Sequence, residues 1–130
     1  MIGWQRYVAV GVGSALGSVL RWLVSLGALT ALGPAFPWGT LAVNGLGSWL
    51  IAAFAAHTVH RSRGRIARWQ PLLVAGFCGG FTTFSLFSLE TLHLLERGRP
   101  GLALLYVVLS LPLWLAAAWL GDRFVRTRHG

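Results

Sequence analysis

The sequence predicts an all-α integral membrane protein, with four transmembrane helices in a single domain over residues 1–130. Two observations support this fold class. Apolar residues make up 55% of the chain, and only 11 basic and 3 acidic residues oppose them. Four apolar stretches also reach the roughly 20 residues that a helix needs to cross a hydrocarbon core of about 30 Å. They cover residues 7–32, 38–59, 71–95 and 102–121.

Helix breakers and charges separate these four spans. Gly33, Pro34 and Pro37 follow the first span, four arginines between residues 61 and 68 follow the second, and Arg97–Pro100 follows the third. The first span is longer than the apolar core of a secretory signal, which is about 7–15 residues, and it contains Arg21. We therefore expect it to remain in the mature protein as a helix.

Arginine supplies all 11 basic residues, and its distribution predicts an orientation. Eight arginines lie on the side that holds both termini and the middle loop, against two in the hairpin loops, Arg97 and Arg99. The positive-inside rule then places both termini in the cytoplasm. The basic clusters flank apolar spans and do not form one face of a soluble domain, which argues against nucleic-acid binding despite the net charge of +8.

The second span carries a stripe of uncharged polar residues. Thr40, Asn44 and Ser48 recur at a spacing of four, so they share one face of a helix. Lipid would reject Asn44 most strongly. Two interpretations stay open for this side chain: a hydrogen bond to a neighbouring helix, typically worth about 0.6 kcal/mol in membranes, or a functional donor.

The third span contains a segment that is weak as a helix. Two glycines and two threonines follow each other within Gly79–Thr83, and all four disfavour helix. A break there would free backbone carbonyls at membrane depth, where only protein or an ion can satisfy them. We therefore expect a broken third helix, with a bound cation as a natural consequence.

Aromatic rings and hydroxyls run side by side beyond that segment. Phe81, Phe84 and Phe87 recur at a spacing of three, next to a row formed by Thr82, Ser85 and Ser88. The edge of a phenyl ring is positive, so ring edges with hydroxyl and amide donors suit a small anion without any full positive charge. The alternative is ordinary core packing of the phenylalanines.

Four further polar residues within the spans permit two interpretations each. Arg21 either extends to the far interface or lines a wet vestibule that attracts anions. Glu90 either lies at the membrane interface or, with His93, pairs with an arginine or borders the exit of a pathway. Tyr106 and Ser110, four residues apart, either add donors to that pathway or bond across helices.

Three motifs together resemble the Fluc fluoride channels, also called the CrcB family. They are Gly17-Ser18-Val19-Leu20-Arg21, Gly39-Thr40-Leu41-Ala42-Val43-Asn44, and the stretch from Gly79 to Glu90. The resemblance covers nearly the whole chain and implies an antiparallel, dual-topology dimer with two pores. It also implies a structural sodium ion at the dimer interface, held by the backbone carbonyls of Gly79 and Thr82 from each subunit. The fluoride pathway that it implies comprises Asn44, Phe84, Phe87, Thr83, Ser85, Ser88, Ser110, Tyr106, Thr40, Arg21 and Glu90.

Two features depart from the family pattern. Leu86 stands where the family commonly has Thr or Ser, which removes one hydroxyl from the polar row. The arginine bias favours a single orientation, whereas dual topology usually accompanies balanced loop charge. An antiparallel homodimer therefore rests on the resemblance, and a differently oriented partner chain stays open.

The function that the resemblance implies is passive export of fluoride across the bacterial inner membrane, which gives fluoride resistance and needs no organic cofactor. The main alternative is a proton-coupled small multidrug transporter, which requires a carboxylate buried in a span. The first two spans contain no Asp or Glu. An assembly subunit without transport activity is a further alternative. We expect no enzyme, because no carboxylate pair, metal cluster or activated nucleophile stands out.

Overall fold

The structure is a computed structural model that describes residues 3–60 and 67–129. Three helices run through without interruption: α1 (Gly3–Leu32), α2 (Trp38–His60) and α5 (Pro100–His129). The third span is composite and contains a π-helical segment (Pro71–Cys78), the single turn α3 (Gly79–Phe81) and α4 (Phe84–Glu96). These described ranges contain no strand and hold four helical spans long and apolar enough to cross a membrane.

The helix ends differ from the apolar segments read from the sequence. α1 begins at Gly3 and α5 continues to His129, past the predicted end at Gly121. The reason is that charged residues end the apolar segment that can lie in the hydrocarbon core, but the helix itself continues through them. Turns do occur at the predicted breakers: Gly33 and Gly98 have φ values of +83° and +71°, which favour glycine. The predicted loop arginines Arg61, Arg63 and Arg65 lie outside the described residues.

Glycines let α1 lie directly on the backbone of the third span. A Cβ atom on Gly13 would lie 2.7 Å from the Phe77 nitrogen, and one on Gly17 would lie 2.8 Å from the Phe81 nitrogen. Gly80 faces the Ser14 backbone in the same way, with 2.8 Å to its Cα atom. We call this contact the glycine seam: Gly13, Gly17, Gly76 and Gly80. Close approach through small residues is a recurrent way to pack membrane helices, where burial of apolar surface gives little driving force.

The other side of the bundle packs through larger side chains. α2 lies along α5, where Gly121 contacts the Trp49 backbone and the Trp114 indole donates to the Leu41 carbonyl at 3.1 Å. The buried core lies where α4, α5 and the turn before α2 meet. It contains Phe36, Leu41, Phe87, Leu94, Ala103 and Tyr106.

The backbone of the third span leaves helical geometry at two threonines. Gly79 is helical, with φ −62° and ψ −40°. Thr82 is extended, with φ −88° and ψ 157°, and so is Thr83, with φ −158° and ψ 114°. Their branched side chains favour extended geometry, whereas the glycines add no branch and remain in the helical turn. The Thr83 hydroxyl then caps α4 by accepting from the Leu86 amide at 3.0 Å.

Candidate functional site

Asn44 holds the extended segment of the third span from the neighbouring helix α2. Its side-chain amide donates to the Thr83 carbonyl at 2.9 Å, and its carbonyl oxygen accepts from the Thr83 amide at 2.7 Å. The side chain is 5% exposed. Both backbone groups that the helix does not bond at Thr83 are therefore satisfied by one buried amide, which fixes the position where α4 begins.

Arg21 reaches the same region from α1. Its Nε atom donates to the Gly80 carbonyl at 3.1 Å, two residues before the extended segment. The residue is half-buried in a single copy of the chain. Its guanidinium stabilises a carbonyl next to the point where the helix stops, as a charged donor.

Sequence reasoning missed two serines that act with Arg21. Ser14 donates to the Gly76 carbonyl at 3.3 Å and Ser18 to the Gly80 carbonyl at 3.5 Å. The signal was present, because residues 14, 18 and 21 follow helical spacing and lie beside Gly13 and Gly17. α1 therefore presents a row of donors to the carbonyls of the third span.

The three phenylalanines of the predicted row have different surroundings. Phe81 is buried and stacks on Phe77, with ring centroids 5.7 Å apart. Phe84 is 67% exposed, whereas Phe87 is 4% exposed, although their centroids are only 5.5 Å apart. Phe84 thus faces outward from a single copy of the chain, and Phe87 faces the core.

Phe87 belongs to an aromatic cluster with Phe36, Tyr106 and Trp114. Its ring centroid lies 4.8 Å from Tyr106 and 4.8 Å from Trp114, the latter at 73°. Phe36 contacts Tyr106 edge to face at 5.3 Å. Such tilted pairs direct positive ring edges at neighbouring faces, which holds the Phe87 ring in one orientation. Like the two serines, Phe36 and Trp114 were not predicted from the sequence.

Thr40, Glu90 and Tyr106 form a hydrogen-bonded group between α2, α4 and α5. The Tyr106 hydroxyl donates to Glu90 Oε1 at 3.2 Å, and the Thr40 hydroxyl contacts both partners. Tyr106 and Thr40 are buried. Glu90 is therefore satisfied by hydroxyls; within the described ranges the only ion pair joins Arg126 to Asp122.

A cleft of about 300 Å³ opens from this group towards the turn between α1 and α2. Glu90 and Thr40 form part of its wall, with His93 and Arg97 from the end of the third span. Ser25, Gly39 and Trp38 line it as well. The buried polar group is thus connected to the surface of the bundle by a wide mouth.

The remaining predicted hydroxyls lie on α4, on α5 and at the residue that follows α3. Ser85 and Ser88 are exposed, and Ser88 donates to the Phe84 carbonyl at 3.1 Å. Thr82 donates to the Cys78 carbonyl at 2.8 Å. Ser110 is fully buried, and the described part of the chain offers its hydroxyl no hydrogen-bond partner. One copy of the chain therefore brings Asn44, Thr83 and Arg21 together, with Thr40, Glu90 and Tyr106 as a second group.

Of the two residues predicted to hold sodium, Gly79 is the first residue of α3 and Thr82 directly follows its last residue. Gly79 is exposed, and Thr82 is the first extended residue after the turn. The described ranges contain no cluster of His, Cys, Asp or Glu that suits a metal.

Comparison with known proteins gives a consistent result along nearly the whole chain. The model of the family described as "CrcB-like protein, Camphor Resistance (CrcB)" matches residues 8–122. A relative from Rhizobium etli is 47% identical over 117 residues, which cover 90% of this chain and 93% of the relative. Relatives from Rhizobium meliloti and Nitrobacter winogradskyi are 47% and 48% identical, covering 94% and 95% of this chain and 97% of each relative.

These three relatives are each named "Fluoride-specific ion channel FluC". The family match includes all or most of each of the four helices that are long and apolar enough to cross a membrane. The protein is thus a multi-pass bacterial membrane protein that belongs to the CrcB-like family.

Proposed function

We propose that this chain forms a fluoride-selective channel that passively exports fluoride across the bacterial inner membrane. The observation that carries the proposal is the buried Asn44, which holds the extended Thr83 directly before Phe84 and Phe87. It occurs in a chain whose curated relatives are named fluoride-specific ion channels. A channel of this kind is not an enzyme and needs no organic cofactor.

Acid–base chemistry supplies the driving force for such a channel. Hydrogen fluoride is a weak acid that crosses a bilayer as the neutral molecule. It ionises in a less acidic cytoplasm, where the charged fluoride is trapped. A passive pathway returns fluoride down its gradient and so gives fluoride resistance without a coupled ion or nucleotide.

In this proposal the anion exchanges water for donors of the protein. The Asn44 amide carries two N–H groups, of which one is used on the Thr83 carbonyl. The second is the donor that we assign to fluoride, with the edges of the Phe84 and Phe87 rings as the next contacts. The roles of Ser85, Ser88, Ser110, Tyr106, Thr40 and Glu90 along the pathway are part of the same proposal. Arg21 raises the local anion concentration.

We also propose that two antiparallel copies complete the pathway. Phe84 is exposed in one copy, and a ring that lines an ion path must be enclosed by protein. A second copy supplies that enclosure and gives two equivalent pathways by symmetry. The arginine bias makes a differently oriented partner chain the alternative, and labelling the termini from each side of the membrane separates the two arrangements.

Sodium fits the carbonyls of Gly79 and Thr82 as an interface ion. Gly79 is exposed, and the extended Thr82 directs its carbonyl out of the helical ladder. One copy offers two of these carbonyls and two copies offer four, so a second copy brings the ion closer to the roughly six oxygen ligands that hard cations take. The positive charge of the ion would attract carbonyl oxygens of both copies and so stabilise the dimer. Replacing sodium by N-methylglucamine should lower the melting temperature of the dimer, and an unchanged melting temperature contradicts the site.

Fluoride efflux from liposomes tests the function directly. Liposomes containing only the purified protein should release fluoride and retain chloride, and Phe84→Ile should abolish the release. Phe124→Ile is the matched control, because Phe124 is an exposed ring at the far end of α5. Undiminished fluoride efflux in Phe84→Ile rejects the aromatic contact. No efflux from folded wild-type protein rejects a channel made from this chain alone.

A further inference from the structure

The last turns of α5 carry a surface that the channel proposal does not use. Five residues line a shallow pocket of about 360 Å³ there: Trp119, Asp122, Arg123, Arg126 and Thr127. They follow one another at spacings of three, one, three and one residues, so they share one face of the helix. The opposite face is buried, with Gly121 against the Trp49 backbone and Val125 in contact with the protein interior.

Helix geometry sets the depth of this pocket in a bilayer. From Pro100 at the other end of α5, Trp119 lies about 29 Å along the helix and Arg123 about 35 Å, at a rise of about 1.5 Å per residue. The hydrocarbon core is about 30 Å thick. With Pro100 at the opposite boundary of the core, Trp119 reaches the near boundary, where indole rings concentrate, and Arg123 reaches the depth of the phosphate groups.

Side-chain contacts organise the positive charge of the pocket. The Arg123 guanidinium lies over the Trp119 ring, 5.3 Å from its centroid. Arg126 is bound to Asp122 at 2.7 Å, and Asp122 is a carboxylate within the same pocket. Arg123 is therefore the cation directed at a ligand, held by an aromatic contact that leaves its guanidinium edge available for phosphate oxygens.

An apolar track leads from the pocket towards the centre of the membrane. Leu104, Val108, Leu111 and Leu115 follow the same face of α5, and each is exposed. Leu115, one turn before Trp119, is 73% exposed. The face thus combines a long apolar strip with an arginine at headgroup depth, which matches the acyl chain and the phosphate of a lipid.

We propose that this face of α5 is a binding site for an anionic glycerophospholipid, with Arg123 on the phosphate and Trp119 at the glycerol level. The partner is a lipid and not free phosphate, because the apolar track is continuous with the pocket. The charge that would attract the anionic headgroup comes from the residues of the pocket itself. Two of the arginines on this face oppose one carboxylate, so the pocket carries a net positive charge that suits an anionic headgroup.

Native mass spectrometry of the full-length, delipidated protein in detergent tests the proposal, with phosphatidylglycerol and phosphatidylcholine as probes. We expect wild type to prefer phosphatidylglycerol and Arg123→Gln to lower that affinity about fivefold. Arg128→Gln is the matched control, since it removes the same charge from the same helix end. The Arg128 side chain lies over Phe124, away from the pocket. Asp122→Asn should increase the affinity, because it releases Arg126 and removes a carboxylate.

Three outcomes overturn the proposal. One is a wild type without preference for phosphatidylglycerol, which is also expected if a second copy of the chain covers this face. The second is an equal loss in Arg123→Gln and Arg128→Gln, which indicates diffuse attraction. The third is competition by soluble glycerophosphoglycerol at the concentration at which the lipid binds, which indicates a headgroup site without the apolar track. The gain expected for Asp122→Asn separates the proposal from simple loss of folding.

Discussion

The third span contacts its neighbours in two different ways. Towards α1 it meets backbone through the glycine seam, with hydroxyl and guanidinium donors on its carbonyls. Towards α5 it packs through the aromatic cluster around Phe87, where ring against ring fills the space. The glycine seam has no room for an added atom. The aromatic cluster depends on the volume of its side chains and on the angles between its rings. Precise backbone position at the extended segment therefore depends on the seam more than on the cluster.

The largest effect is expected from Gly17→Ala. The new Cβ atom would meet the Phe77 carbonyl and lie 2.8 Å from the Phe81 nitrogen, neither of which moves without the helix. We expect a loss of about 3 kcal/mol in the free energy of unfolding, measured by denaturant titration in detergent. Gly27→Ala is the control: nothing lies within 4 Å of its Cβ position, and alanine favours helix. Equal stability of the two variants would contradict the close contact.

Asn44→Ala tests the segment between the glycine seam and the aromatic cluster. Asn44 binds Thr83, which lies between these two regions of the third span. The substitution leaves the amide and carbonyl of Thr83 without their partner. We expect a loss of about 2 kcal/mol in unfolding free energy, since each buried, unsatisfied backbone group costs about 1–3 kcal/mol before relaxation. Ser48→Ala, on the same face of α2 and half-buried, should cost far less. A stable Asn44→Ala protein with an intact α4 would show that Thr83 does not need this amide.

The smallest of the three effects is expected in the aromatic cluster. Phe87→Leu removes ring volume between Tyr106 and Trp114 but leaves an apolar side chain that can repack. We expect a loss of about 1.5 kcal/mol in unfolding free energy, measured in the same titration. Leu115→Val, on the exposed face of α5, should cost less than about 0.5 kcal/mol. If Phe87→Leu destabilised the protein more than Gly17→Ala, the cluster and not the seam would be the more restrictive contact.

The sequence predicted the four spans and the residue types of the site because both follow from local composition. Apolar length marks a span, and an asparagine inside one demands a partner. The identity of that partner, the backbone of Thr83, depends on how α2 lies against the third span, which no local pattern encodes. The exposure of Phe84 and the burial of Phe87 also depend on how the helices pack. The regular spacing of the phenylalanines does not predict which ring faces a neighbouring helix.

Within the weak segment, composition alone did not identify the residues that leave the helix. Glycine and threonine both disfavour helix, so the sequence indicated the whole range Gly79–Thr83. In the structure both glycines remain in the helical turn α3, and Gly80 lies in the seam, where α1 requires a small residue. The threonines take the extended geometry, because Asn44 offers Thr83 the hydrogen bonds that a helix would have supplied.

The bond from Arg21 to the Gly80 carbonyl has a consequence for biosynthesis. The two residues are 59 positions apart, so the acceptor leaves the ribosome after the whole of α2. At about 5–20 residues per second, that interval is roughly 3–12 seconds. During this time the arginine enters the membrane before its acceptor has been made. Water or lipid phosphate must solvate the guanidinium until the third span arrives, which makes the docking of α1 a late step in assembly.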